Sequence, residues 1–291
     1  MSRFALPPVP PPADWLVFTD LDGTLLDHHD YSHQAAAGAL KALGAAGVPM
    51  IPATSKTVAE WLLLRDRLGF KGPLVAENGA VIAAPKDSLE AVLVIGPECQ
   101  TVADLGVRCL GTPRDRIRAV LDGLREAGAS FETFFDLGAA GVARVTKLAP
   151  DEAARACERL ASEPLLWSGT EAERAQFLDR LPGHRLRAVQ GGRFLHVMGN
   201  VDKSVAMGRW VEFYARQWGR RPFVIALGDS PNDLDMLGAA DLGIAVRAAN
   251  GRHLKADPEK PLWCVDQAGP AGWQMAFDTL FAAAKERERR V

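Results

Sequence analysis

The chain has 291 residues, 48% of them apolar, with 34 Lys and Arg against 36 Asp and Glu for a formal net charge of −2. That is the make-up of a soluble globular protein with room for one large core or two moderate ones, and it offers no electrostatic footprint for nucleic acid. No apolar run reaches membrane-span length. The four cysteines (Cys99, Cys109, Cys157, Cys264) form no CxxC pair, which argues against structural zinc and a disulfide framework. Reduced thiols and a cytoplasmic location are expected.

After a proline-rich leader, Leu6-Pro-Pro-Val-Pro-Pro-Pro12, the apolar run Trp15–Thr19 predicts a buried strand. An Ala-rich helix over Gln34–Ala46 follows, then a strand over Val48–Thr54. Thr57–Leu68 reads as helix because Trp61, Leu62, Leu64 and Leu68 recur at helical spacing, and Leu74–Ala76 reads as strand. The middle third mixes helices at Arg114–Ala127, Asp151–Ser162 and Glu171–Leu181 with short strands at Ala91–Ile95, Ser130–Phe134 and Leu165–Trp167. Beyond the strand-like Phe194–Val197, the β-then-α rhythm returns: helix Lys203–Trp218, strand Phe223–Leu227, helix Asp233–Ala239, strand Leu242–Val246. The basic tail, 285–290, mixes charge signs and reads as a solvated helix end. This rhythm predicts an α/β fold, a doubly wound, Rossmann-like parallel sheet, interrupted by an α+β insertion. The expected division is a core of residues 1–86 (leader 1–13) and 189–291, with the insertion at 87–188.

Four short segments carry candidate chemistry. Asp20 and Asp22 lie two apart just past the first strand, so they share one face, and Gly23 lets the chain turn beyond them. Carboxylates at the C-terminal end of a central strand stand where open α/β sheets bind ligands. Thr54-Ser55-Lys56-Thr57 ends the second strand. Hydroxyls and fresh amides at a strand-to-helix turn suit an anion, and a helix cap by Ser55 or Thr57 suits the same residues. Asp202-Lys203 opens the long helix, where a cation opposes the helix dipole. Gly228-Asp-Ser-Pro-Asn-Asp233 puts Asp229 and Asp233 at the end of another sheet strand, with Asn232 available to cap the next helix. If the four segments converge, their carboxylates cannot all stay ionised without a cation. Oxygen ligands of this kind suit Mg²⁺. With no Walker-type Gly-x-x-x-x-Gly-Lys present, phosphoryl transfer to an Asp carboxylate is the chemistry that fits.

In this order, Asp20-Leu-Asp-Gly-Thr24, Thr54-Ser55, Lys203 and Gly228–Asp233 resemble the four signatures of the haloacid dehalogenase superfamily of phosphatases. The insertion corresponds to the subclass with an α/β cap at that point. Asp20–Asp27 followed by His29-Asp-Tyr31, Thr54-Ser-Lys-Thr57, Ala76-Glu-Asn-Gly-Ala-Val-Ile82 and Gly191-Gly-Arg-Phe-Leu-His196 are similar to mannosyl-3-phosphoglycerate phosphatases. General sugar phosphatases more often carry Thr-Gly-Arg where Thr54-Ser55-Lys56 stands. The resemblance implies that Asp20 is the nucleophile and that Asp22 protonates the leaving group and then activates water. It implies that Asp20, the Asp22 main-chain carbonyl and Asp229 bind Mg²⁺, with Asp233 and Asn232 behind them. Thr54, the amides around Ser55, and Lys203 would neutralise the phosphoryl group.

The substrate implied is a small phosphorylated glycoside, with no nucleic-acid or membrane partner and the oligomeric state open. Lys56 and Arg193 are the cations assigned to its carboxylate, a surface salt bridge being the other reading of each. Glu77 and Asn78 would reach sugar hydroxyls or hold a hinge, and His196 would touch ligand or pack in a core. The expected activity is a Mg²⁺-dependent phosphatase forming mannosylglycerate. The alternatives are a broader sugar-phosphate or glucosyl-3-phosphoglycerate phosphatase and a non-catalytic sugar-phosphate sensor.

Overall fold

The apolar run after the leader is strand β1 (Trp15–Thr19), buried along its whole length because sheet neighbours and helices cover both its faces. A computed structural model describes residues 6–191, 193–255, 257 and 261–289. Leader residues 1–5, Gly192 of the Gly191–His196 motif and Arg290 of the tail lie outside the described residues. Two compact units are present, Met1–Thr54 with Lys203–Val291, and Ser55–Asp202.

The first unit continues from β1 into α1 (Ala37–Ala45) and β2 (Met50–Pro52). The chain then leaves it for the second unit: α2 (Val58–Leu68), β3 (Leu74–Ala76), β4 (Val81–Pro85), β5 (Gln100–Val102), β6 (Leu105–Cys109), α3 (Arg114–Glu126), β7 (Phe131–Thr133), α4 (Phe134–Thr146), α5 (Pro150–Cys157), β8 (Ser162–Trp167), α6 (Glu171–Arg180), β9 (Leu186–Gly191) and β10 (Phe194–Gly199). It returns through α7 (Lys203–Trp218), β11 (Phe223–Gly228), α8 (Leu234–Ala239), β12 (Leu242–Arg247), β13 (Trp263–Ala268) and α9 (Gly269–Glu288).

In the first unit the strands form one parallel sheet in the order β13-β12-β11-β1-β2. Helix α9 packs on β12, β13 and α1, while α8 packs on β11, β12 and α7. The core is aromatic: Trp15, Trp210, Trp273 and Phe277 are each wholly buried, with the Trp273 and Phe277 rings 4.4 Å apart. This is the expected α/β sheet. Its register matters for function, because Thr19 pairs with Pro52 on one side and Leu227 on the other. The loops after β1, β2 and β11 therefore start level with one another at one sheet edge.

The second unit is the expected α+β insertion, but it is larger than 87–188. It holds two antiparallel sheets, β3-β4-β6-β5 and β7-β8-β10-β9. β4 pairs with β6 across position 86, and β10 pairs with β8 and β9 across position 188. Hydrogen-bonded ladders thus tie β3, β4, β9 and β10 to the insertion, and the compact unit runs from Ser55 to Asp202. The second sheet covers a core of Ile117, Leu121, Phe131, Leu165, Phe177, Leu195 and Val197, with a smaller cluster around Phe134 and Val142 under α4 and α5.

Two local expectations change. Ala91–Ile95 is not a strand: Leu89–Leu93 is a short 3₁₀ helix whose Leu89 and Val92 are exposed. The helix expected over Asp151–Ser162 stops at Cys157, because the Leu160, Ala161 and Ser162 donors bond a distant carboxylate, that of Glu77, instead of helix carbonyls.

Candidate active site

Asp20 follows β1, its amide bonded to Leu227 O of β11 at 2.9 Å. Thr19, just before it, donates Oγ1 to Asp20 O and accepts Trp273 Nε1 at 3.1 Å, which anchors the strand end to α9. Past Asp22, Gly23 adopts φ +84°, and a Cβ there would stand 2.7 Å from Asp229 Oδ2. Glycine is therefore required both by conformation and by the approach of the β11 loop. Thr24, fully buried, donates to Asp229 Oδ1 at 3.1 Å and ties that loop down. The parallel requirement on the other loop is Gly228, where a Cβ would lie 2.5 Å from that of Asp233.

Lys203 is wholly buried despite its place in the first turn of α7. Its Nζ donates to Asp20 Oδ1 and to Asp233 Oδ1, each at 2.6 Å. The other Asp233 oxygen accepts from Asp229 N at 3.2 Å, Ser230 N at 3.1 Å and Ser230 Oγ at 3.2 Å. Asp233 thus orients Lys203 and holds the 229–230 turn at once. Asn232 accepts the Ser230 hydroxyl. Thr54, two residues past β2, is also buried.

The electrostatics follow from the charge count. Burial, reinforced by Asp233, Asp229 and Asp22, raises the Asp20 pKa well above the ordinary carboxylate value even against Lys203. Burial and Asp233 push Asp229 up to about 7. Lys203 is shifted the other way: burial opposes its charge, but Asp20 and Asp233 outweigh burial and raise its pKa. One ammonium does not neutralise four acidic side chains. Carboxylate oxygens of Asp20, Asp229 and Asp233 lie within 4.8 Å of one another. A compact set of hard oxygen donors carrying surplus negative charge fits a divalent cation such as Mg²⁺.

Within the first unit, therefore, β1, β11 and α7 bring Asp20, Asp229, Asp233 and Lys203 together. Asp22, Thr54 and Asn232 belong to the same unit, whereas Ser55, Lys56, Glu77, Asn78, Arg193 and His196 belong to the second. Thr57, not Ser55, caps α2: its Oγ1 accepts Glu60 N at 3.1 Å and Glu60 Oε2 accepts Thr57 N at 2.8 Å. Lys56 is half-buried and Arg193 exposed. Asn78 is buried, and Glu77 is buried with its carboxylate bonded to Leu160 N, Ala161 N and Ser162 Oγ. His196 is buried opposite Pro164 and Val189 in the sheet, which depresses its pKa to about 3, with Arg159 adding to the effect. Sequence reasoning passed over Thr24 and Ser230 as loop tethers, although both stand inside the quoted motifs. It also passed over Arg159 and Ser162, which no local pattern marks.

The sequence matches the model of the haloacid dehalogenase-like hydrolase family over residues 17–95 and 174–257. Among solved structures, a Thermoplasma acidophilum protein superposes with TM-score 0.63 at 15% identity, covering 91% of this chain and 97% of its own. BT1666 from Bacteroides thetaiotaomicron, described among phosphatases of the haloalkanoate superfamily, gives 0.60 at 17%, covering 92% and 94%. The sucrose-phosphatase of a Synechocystis species, solved with sucrose and phosphate, gives 0.58 at 14%, covering 92% and 98%. At such identities these likenesses show the fold. The family match spans more than half of the sequence and both flanks of the insertion, and it decides the family: this chain belongs to the haloacid dehalogenase-like hydrolases.

Proposed function

We propose that the protein is a Mg²⁺-dependent phosphomonoester hydrolase working through an aspartyl phosphate, with mannosyl-3-phosphoglycerate as its substrate. The observation that carries the reading is the buried Lys203 ammonium held between Asp20 and Asp233 beside Asp229. Such a cluster offers a carboxylate nucleophile beside an ammonium and beside oxygen donors for a divalent cation, which together would meet the charge of a phosphoryl group.

Lys203 engages Asp20 Oδ1, which leaves the second oxygen to attack phosphorus. As the Asp20 O–P bond forms, the bond from phosphorus to the leaving oxygen breaks, and Asp22 delivers its proton to that alkoxide. Asp22 then accepts a proton from water as the water attacks phosphorus. The Asp20 O–P bond breaks, releasing orthophosphate and restoring the carboxylate. The Thr54 hydroxyl, the amides around Ser55, and Lys203 meet the charge on the phosphoryl oxygens. Asp20, Asp229 and the Asp22 carbonyl, backed by Asp233 and Asn232, would hold Mg²⁺, which supplies Lewis-acid neutralisation when bound.

The substrate rests on the motif resemblance. Lys56 and Arg193 are assigned to a glycerate carboxylate, Arg193 through its planar fork. Glu77 and His196 are assigned to packing on their burial. The fold likeness to a sucrose-phosphatase supports a broader sugar-phosphate substrate as the alternative. Among the described residues no helix is long and apolar enough to cross a membrane.

The test is phosphate release with Mg²⁺ across mannosyl- and glucosyl-3-phosphoglycerate, hexose phosphates and 3-phosphoglycerate. Preference for the mannosyl compound is the expected result, and EDTA should abolish turnover. Equal rates on plain hexose phosphates would move the assignment to the broader class. No release from any member would overturn the phosphatase reading.

A further inference from the structure

Three hydrogen bonds hold the backbone on either side of Asp20, and all lie within the first unit. The peptide group joining Thr19 to Asp20 is held from both sides: Thr19 O accepts Ala53 N, just past β2, at 2.8 Å, and Asp20 N donates to Leu227 O of β11 at 2.9 Å. The next peptide group lies beyond the end of β1. Its carbonyl, Asp20 O, accepts the Thr19 hydroxyl at 2.8 Å, and that hydroxyl accepts Trp273 Nε1 of α9 at 3.1 Å. The direction of each bond is unambiguous. An indole N–H can only donate and a carbonyl can only accept, so the hydroxyl between them must point its proton at Asp20 O. Thr19 and Trp273 are wholly buried, so bulk water does not compete for either bond.

The consequence is directional. The two peptide planes that meet at a Cα set the direction of its Cα–Cβ bond, because φ and ψ are the only soft rotations of the backbone. With the first plane pinned by neighbouring strands, the Thr19 hydroxyl decides the second. It thereby sets the root from which the Asp20 carboxylate projects. Lys203 holds one oxygen of that carboxylate, Oδ1, at 2.6 Å. A tether at the tip and a fixed root together restrict where Oδ2 aims.

We propose that Thr19, itself aimed by Trp273, is a positioning residue that orients the Asp20 carboxylate for attack on phosphorus; this rests on the phosphatase reading above. The experiment uses the full chain with Mg²⁺, the best substrate of the panel, and inorganic phosphate as inhibitor. Thr19→Val keeps the branched shape of the side chain and removes the hydroxyl, whereas Thr19→Ser keeps the hydroxyl and removes the methyl group. Trp273→Phe leaves the hydroxyl in place but takes away the donor that aims it. Each variant is assayed well below its own melting temperature.

For Thr19→Val the expected result is a fall in kcat/KM of at least about tenfold, with phosphate inhibition within about twofold of the wild type, because aim is lost while the phosphate site stays intact. Thr19→Ser should recover most of that loss even though its missing methyl group lowers the melting temperature, and Trp273→Phe should fall between the two. Activity then follows the hydroxyl and not stability. A merely structural role would lower melting temperatures and leave kcat/KM unchanged in the folded variants. A loss of phosphate inhibition as large as the loss of kcat/KM would mean general damage to the site and overturn the positioning role. If Thr19→Val does not fold, Trp273→Phe decides, and wild-type constants there overturn it. Wild-type constants in a folded Thr19→Val overturn it too, while the phosphatase reading stands. A wild-type protein that releases no phosphate overturns both.

Discussion

Lys203 and Asp20 face each other at 2.6 Å, yet removing one or the other should have opposite consequences for stability. Deleting the ammonium leaves the buried carboxylates of Asp20 and Asp233 uncompensated, a loss of about 3–5 kcal/mol. Lys203→Ala should therefore both unfold at lower urea and lose turnover. Asp20 sits where burial and three neighbouring acids already disfavour its charge. Asp20→Asn relieves that repulsion, so its melting temperature should equal or exceed the wild type while phosphate release disappears. Wild-type turnover in Asp20→Asn would remove the nucleophile assignment. Gly23 makes a third case, because its φ of +84° and the 2.7 Å approach to Asp229 Oδ2 leave no place for a methyl group. Gly23→Ala should cost about 1–2 kcal/mol in backbone strain alone. By displacing Asp229 it should also raise the Mg²⁺ concentration needed for half-maximal turnover.

At the level of elements, α9 supports the site from behind. Trp273 is wholly buried and donates to Thr19 Oγ1, one residue before Asp20. Trp273→Phe removes that bond and leaves a small void, a combination of about 1–3 kcal/mol, measurable as a lower urea midpoint with unchanged slope. Trp273, Phe277, Leu280 and Ala284 recur at helical spacing, a signal for α9 beyond the expected elements, which pass from Leu242–Val246 to a helix end at 285–290. The strand ends were the legible part. An apolar run closed by Asp-x-Asp-Gly or Gly-Asp-Ser-Pro is local chemistry, and parallel register then brings such ends level without further information. The two antiparallel sheets of the insertion were less legible. β5 has three residues, too few for periodicity, and although a strand was expected at Ser130–Phe134, the pairing of β7 with β8 and of β8 with β10 joins segments remote in sequence. Glu77 shows the same limit at one residue: a Glu-Asn-Gly turn invites a solvent or sugar contact, and only the return of the chain at 160–162 makes it a buried anchor.

For the whole molecule, acid lability should be traceable to the insertion. His196 is buried between Pro164 and Val189 on neighbouring strands, and its pKa falls from the ordinary 6.5 to about 3 through burial first and Arg159 second. The folded protein thus refuses a proton that the unfolded chain accepts below pH 6.5. Its contribution to stability is complete above that pH and is lost as pH falls toward 3, by up to about 1.4 kcal/mol per unit. Replacing the ring by a leucine suits the apolar neighbours and removes the titration. The difference in unfolding free energy between wild type and His196→Leu should be constant from pH 7 to 8. Between pH 6.5 and 4.5 it should move by about 2 kcal/mol in favour of the variant. The measurement is urea denaturation at fixed ionic strength in EDTA, so that cation binding at the carboxylate cluster does not add its own pH dependence. A flat difference down to pH 4.5 would mean that His196 takes a proton in the folded state as readily as in the unfolded chain, and the link between its burial and acid lability would fall.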